Sequence, residues 1–101
     1  MTPKEFDEIV AQAKLIAFGE DGQSGKNADY AAAGHLYKVI GREGRCSDIW
    51  RKAIRHASAM KTKKYDHKLR RDTLDLLVYC IMYCIVNDEI QIEEERKNVS
   101  N

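Results

Sequence analysis

Apolar positions recur along the chain in four helical stripes, separated by polar breaks rich in turn-forming residues. The first stripe is Phe6, Ile9, Val10, Ala13, Ile16 and Ala17. Thr2 stands where an N-cap belongs, Pro3 takes the first helical position, and Glu5 follows the cap by three. Gly19 is a natural stop, and residues 19–27, GEDGQSGKN, read as a polar loop. A second helix is predicted from about Asp29 to Ile40, with Tyr30, Ala33, Tyr37 and Ile40 in line and Leu36 widening the stripe. GREGRC (41–46) breaks it. A third helix, capped by Ser47 or Asp48, carries Ile49, Ala53, Ile54, Ala57 and Met60. It fades into KTKKYDHK, a short connection with Tyr65 packing down. The fourth helix starts near Lys68 and reaches about Glu94. From Leu76 to Val86 every residue is apolar or aromatic, which predicts burial on all sides. The expected fold is an all-α four-helix bundle, one domain over residues 1–95 with a charged tail at 96–101.

A chain of 101 residues has little material to surround one helix completely. The Tyr79–Val86 surface is therefore expected to meet another copy, in a dimer or higher oligomer. One proline and six glycines argue against a sandwich or barrel. The apolar run of helix four is well short of the ~20 residues that cross a bilayer. No apolar signal segment opens the chain, and the three cysteines lack zinc-like or disulfide-like spacing. Cys80 and Cys84 read as small buried hydrophobes. A soluble cytoplasmic protein is expected, with no membrane partner.

Charge is uneven. Residues 35–71 hold 12 Lys/Arg against 3 Asp/Glu, net +9, whereas residues 1–34 are net −3 and residues 72–101 net −5. A basic centre suggests a phosphate-bearing partner; it also fits a solvated face complementing acidic ends. Asp72 and Asp75 are three apart, so a helix carries both carboxylates on one face. They read either as capping-type acids near a helix N-terminus, paired with Arg70, Arg71 or a residue of the third helix, or as magnesium ligands, since one or two carboxylates plus substrate phosphates suffice for that ion. Lys52 and Arg55 share a face of the third helix, and Asp48, four before Lys52, shares it too.

Other features carry less. His35, His56 and His67 have no zincin-like spacing. Nothing marks Cys46 as a nucleophile. Gly19 to Lys26 lacks the Walker spacing and joins helix to helix, so it is not a P-loop. Trp50 reads as a core or interface anchor.

Three segments in order, K-N-A-D-Y (26–30), D-I-W-R-K-A-I-R (48–55) and D-T-L-D-L-L-V-Y (72–79), resemble the small phage and bacterial nucleotide-modification-associated domains. Those domains look like distant relatives of MazG-type all-α nucleoside-triphosphate pyrophosphatases. The resemblance spans roughly residues 6–86. It implies a helical bundle, often dimeric, that binds nucleotide phosphates through Mg²⁺. For MazG-type enzymes it implies hydrolysis of a (deoxy)nucleoside triphosphate to monophosphate and pyrophosphate, in nucleotide-pool housekeeping or modified-base metabolism. Carried over by position, Asp72 and Asp75 are metal ligands with Asp48 as a third acid. Lys26, Lys52 and Arg55 hold phosphates, with Lys52 in the catalytic set. Asn27, Asp29 and Tyr30 line the base or sugar side. The chain departs from the pattern where the third helix offers Asp48 followed by Arg51 and Lys52 in place of an acidic pair. That departure keeps open a second reading, a non-catalytic oligomeric module that sequesters a nucleotide. A helical nucleic-acid-binding domain on Arg42–Lys64 is less favoured: there is no helix-turn-helix signature, and aromatic residues do not interleave with the basic ones.

Overall fold

The structure, a computed structural model, describes residues 1–22, 24–25 and 37–100, with side chains to residue 98. Most of these residues are helical, and there is no strand among them. Helix α1 spans Pro3–Phe18; residues 37–39 are helical and are called α2; α3 spans Gly41–Thr62 and α4 His67–Ser100. The rest of the expected second helix, with Lys26, Asn27, Asp29 and Tyr30, lies outside the described residues.

Helix α1 follows its local signals. Thr2 Oγ1 accepts from the Glu5 N–H at 3.1 Å and Glu5 Oε1 accepts from the Thr2 N–H at 2.8 Å, a reciprocal cap. These bonds hold the Glu5 carboxyl below its ordinary range. At the far end Gly19, at φ +70°, donates its N–H to Leu15 O at 2.7 Å. Thr2→Ala should cost about 1 kcal/mol of stability, read as a lower urea midpoint with unchanged slope.

Helix α4 is the spine. Its Leu74, Val78 and Met82 bury against Ala13 and Ile16 of α1, with Ala17, Leu77 and Tyr79 partly buried around them. Burying each large apolar side chain contributes roughly 1.5–3 kcal/mol. α4 also meets α3, where the buried Tyr83 donates its hydroxyl to Asp48; Val86 is fully buried. The Tyr83 ring lies edge-on to Tyr37, centroids 5.2 Å apart. α1 and α3 each pack on α4 and make no packing contact with each other.

That arrangement overturns several sequence expectations. Among the described helices only α1 and α3 pack on α4, and Cys80, Ile81, Cys84 and Ile85 of its apolar run are exposed. Trp50, at 67% exposure, is not a core residue, and Ile54, Met60 and Tyr65 are also exposed. GREGRC does not interrupt the helices over its length. Gly41 alone, at φ +74°, makes the break, and the rest is already α3. Arg45 within it is buried, donating Nε–H to Asn87 Oδ1 at 2.8 Å and an Nη1 proton to Tyr37 O at 3.0 Å. α4 also continues past Glu94 to Ser100. Its EEERK segment is made of good helix formers, Gln91 donates to Glu95 one turn on at 3.3 Å, and Lys97 complements the C-terminal dipole.

Candidate functional site

The four-residue connection 63–66 folds α4 back beside α3. Lys63 N–H closes α3 on Ala59 O at 2.9 Å. Asp66 opens α4: its Oδ1 accepts the Leu69 N–H at 2.9 Å and its carbonyl accepts the Arg70 N–H at 3.0 Å. Asp66 is therefore the capping acid, and the first turn of α4 contains no other acid. Asp72 and Asp75 stand further along the helix, beyond the reach of its free N–H groups. Neither residue caps the helix, but the pairing half of that reading stands for Asp75, whose Oδ1 lies 3.5 Å from Arg71 Nε.

They line instead a groove of about 780 Å³ between α3 and α4. α3 contributes Lys52, Arg55, His56 and Ala59 to it, and α4 contributes Asp72, Asp75, Leu76 and Tyr79. Lys63 stands at its end. His56 Nε2 and Thr73 Oγ1 share a hydrogen bond at 2.8 Å that ties the two helices together beside the groove; Thr73 Oγ1 also lies 3.2 Å from Leu69 O. Among the described residues, Arg55, Lys63 and Asp72 form no ion pair. Asp75 Oδ1 is shielded from solvent and accepts no hydrogen bond; Arg71 Nε lies 3.5 Å away as an ion-pair neighbour. A shielded carboxylate oxygen without a hydrogen bond is costly unless something positive approaches it.

Asp48 behaves differently. Its Oδ1 accepts from Arg51 at 2.9 Å and from Lys52 Nζ at 3.4 Å, and its Oδ2 accepts the Tyr83 hydroxyl proton. Burial pushes the Asp48 carboxyl upward, but the Tyr83 and Arg51 hydrogen bonds and the Lys52 charge outweigh it and leave the carboxyl below its ordinary value. Burial and the same hydrogen bond push the Tyr83 hydroxyl well above its ordinary 10.0. Asp48 lines a smaller hollow with Tyr37, Ile40 and Arg51, outside the groove. Lys52 joins the two regions, since its Nζ also sits 4.6 Å over the Tyr79 ring.

Of the sequence-derived site residues, the structure thus brings together Lys52, Arg55, Asp72 and Asp75 and sets Asp48 apart as their neighbour. Sequence reading did not select Lys63, His56 or Tyr79. Their signal was present, because Lys52, His56, Ala59 and Lys63 follow at four-, three- and four-residue steps and Tyr79 follows Asp75 by four.

The groove's donors fit a hard cation shared between protein and phosphate. Two carboxylates are enough when a bound polyphosphate and waters complete the shell, and Asp75 Oδ1 is an oxygen in need of such a partner. Among the described residues no three His, Cys, Asp or Glu side chains gather closely enough to hold a metal by themselves. No described helix is long and apolar enough to cross a membrane. Comparison with protein-family models, with curated proteins and with solved structures gives no match to this chain.

Proposed function

We propose that the protein is a MazG-like, Mg²⁺-dependent (deoxy)nucleoside triphosphate pyrophosphohydrolase, and that the α3–α4 groove is its site. One observation carries this reading: Asp72 and Asp75, which cap nothing, face the same groove as Lys52 and Arg55. Asp72 and Asp75 would hold Mg²⁺, which when bound to phosphate neutralises its charge and acidifies a coordinated water. Arg55 brings a planar fork that matches phosphate oxygens. Lys52, fixed between the Asp48 carboxylate and the Tyr79 ring, would meet the developing negative charge without reorganising. Lys63 adds a second ammonium at the groove's end. Hydrolysis between the α- and β-phosphorus would release pyrophosphate and leave the monophosphate.

A second reading is favoured by Asp48. Its carboxylate is engaged by Arg51, Lys52 and Tyr83, which leaves Asp72 and Asp75 as the groove's described carboxylates. A site so poor in acids suits a module that binds the nucleotide and does not cleave it.

Pyrophosphate release from a panel of nucleoside triphosphates separates the two. The expected result is release with Mg²⁺ or Mn²⁺ that chelator abolishes. Thermal stabilisation by nucleotide without release would select the sequestering module. Neither response would overturn both.

A further inference from the structure

We propose that the tip of the α3–α4 hairpin, residues 61–71, binds the sugar–phosphate backbone of single-stranded nucleic acid and stacks a base on Tyr65. Of its cations only Lys63 also lines the groove, and binding at the tip requires no nucleotide cleavage there.

Residues 61–71, KTKKYDHKLRR, hold six Lys/Arg and one acid, net +5, in a chain of net +1. That acid is already engaged, because Asp66 Oδ1 accepts the Leu69 N–H. Among the described residues Lys61, Lys63, Lys64, Lys68 and Arg70 form no ion pair, whereas Arg71 meets Asp75. Residues 61–68 are all exposed. The fold explains Lys61, since a cation suits the last turn of α3. It does not explain Lys68. That residue stands in the first turn of α4, where the helix dipole opposes positive charge, and the turn itself holds no acid. Arg70 and Arg71 follow directly. Unpaired cations set against a helix dipole cost stability, and an anionic partner offsets that cost. The tip also holds a definite shape. Leu69 is buried, at 4% exposure, and the Lys63 N–H and the Asp66 side chain close the two helix ends on either side of the connection.

The side chains select among anionic partners. A lipid surface takes up apolar side chains along with basic ones, but here Leu69 is buried and no exposed aliphatic residue stands among the cations. An acidic peptide would use the charges and not the ring. A polynucleotide uses both, its phosphates on the cations and a base on an aromatic face. Tyr65 offers that face: it is 64% exposed beside Lys64, where the sequence had it packing down. The length of α3 offers no equivalent surface. Arg45 is buried, and Arg51 and Lys52 pair with Asp48. The less favoured nucleic-acid surface along Arg42–Lys64 thus contracts to the hairpin tip, where an aromatic residue does stand among the basic ones.

Fluorescence anisotropy of a labelled 5′-hydroxyl oligothymidylate, titrated with the full chain in chelator, tests this without metal or a terminal phosphate. The expected result is binding at low salt, with log K falling against log[salt] at a slope of about −3, as for roughly four single-strand phosphate contacts. Lys64→Glu with Lys68→Glu should weaken it at least about tenfold while circular dichroism stays helical. The same charge change made elsewhere, Lys14→Glu with Arg42→Glu, should weaken it less than about threefold. Tyr65→Ala should weaken it about tenfold and leave the salt slope unchanged. If the double Glu variant unfolds, Lys64→Ala with Lys68→Ala must still flatten the slope by about 1.4. No binding at low salt overturns the proposal. So does equal weakening by the Lys14 and Arg42 pair, which would make the attraction a property of net charge. Equal affinity for a duplex of the same length, with no effect of Tyr65→Ala, overturns it as well. Binding to phosphatidylserine vesicles without binding to the oligonucleotide overturns it and assigns the tip to a lipid surface.

Discussion

Asp75→Asn should abolish metal-dependent pyrophosphate release, lowering kcat/KM at least about 100-fold, given that even outer-shell changes at metal sites cost 10–100-fold. The same substitution should raise the melting temperature of the metal-free protein. Both effects come from one atom. Asp75 Oδ1 is shielded and without a hydrogen bond, and Arg71 at 3.5 Å approaches it too loosely to satisfy it. On the proposed reading such an oxygen is a cost to the metal-free fold that a bound cation offsets. Replacing the carboxylate by a neutral amide removes both the shielded, unbonded Oδ1 and the proposed cation ligand. The paired measurements are pyrophosphate release and thermal unfolding with and without Mg²⁺. If Asp75→Asn instead destabilises the metal-free protein and leaves release intact, the Arg71 ion pair is the role of Asp75 and the groove has lost its main ligand.

Tyr83→Phe should cost about 2 kcal/mol at neutral pH, the range for a hydrogen bond to a charged group, and lower the melting temperature by roughly 10 °C. Tyr83 is buried on α4 and its hydroxyl donates to Asp48 on α3, so the bond joins the two helices where they pack. The pH dependence has a definite sign. Asp48 titrates below its ordinary 3.8 in the folded chain. Its stabilisation is thus present above 3.8 and disappears as pH falls through the lower folded value. The cost of Tyr83→Phe should shrink over that acid window. Tyr83 titrates above its ordinary 10.0 when folded. Wild type should therefore lose stability as pH rises past 10, and Tyr83→Phe should lose less. Chemical denaturation from pH 3 to 11 reads both limbs. A cost independent of pH would mean that the ring, and not the hydroxyl, supplies the effect.

Much of the fold can be read from local pattern. α1 begins and ends where Thr2, Pro3, Glu5 and Gly19 say, because a cap is decided within four residues. The i, i+3 spacing of Asp72 and Asp75 gave them one face, and Lys52 and Arg55 another, and the groove joins those faces. What escaped depends on partners far along the chain. Arg45 is held by Asn87, 42 residues away, so its segment looked like a break. Asp48 is turned aside by Tyr83, 35 residues away, so it looked like a free ligand. The apolar run of α4 looked buried all round because composition does not say how many neighbours a helix has. With α1 and α3 packed on α4, Cys80 and Cys84 remain in the open.

That α1 and α3 touch α4 but not each other also sets the order in which the chain assembles. The α3–α4 pair is joined by four residues, a loop whose closure is fast and costs little entropy. α1 must find Leu74, Val78 and Met82 from some 60 positions away, and among the described helices only α4 packs on it. α3 and α4 therefore form the first cooperative unit, and release of α1 is the easiest partial opening of the native state. The α3–α4 groove lies wholly within the unit that persists, so α1 can leave and return without dismantling it.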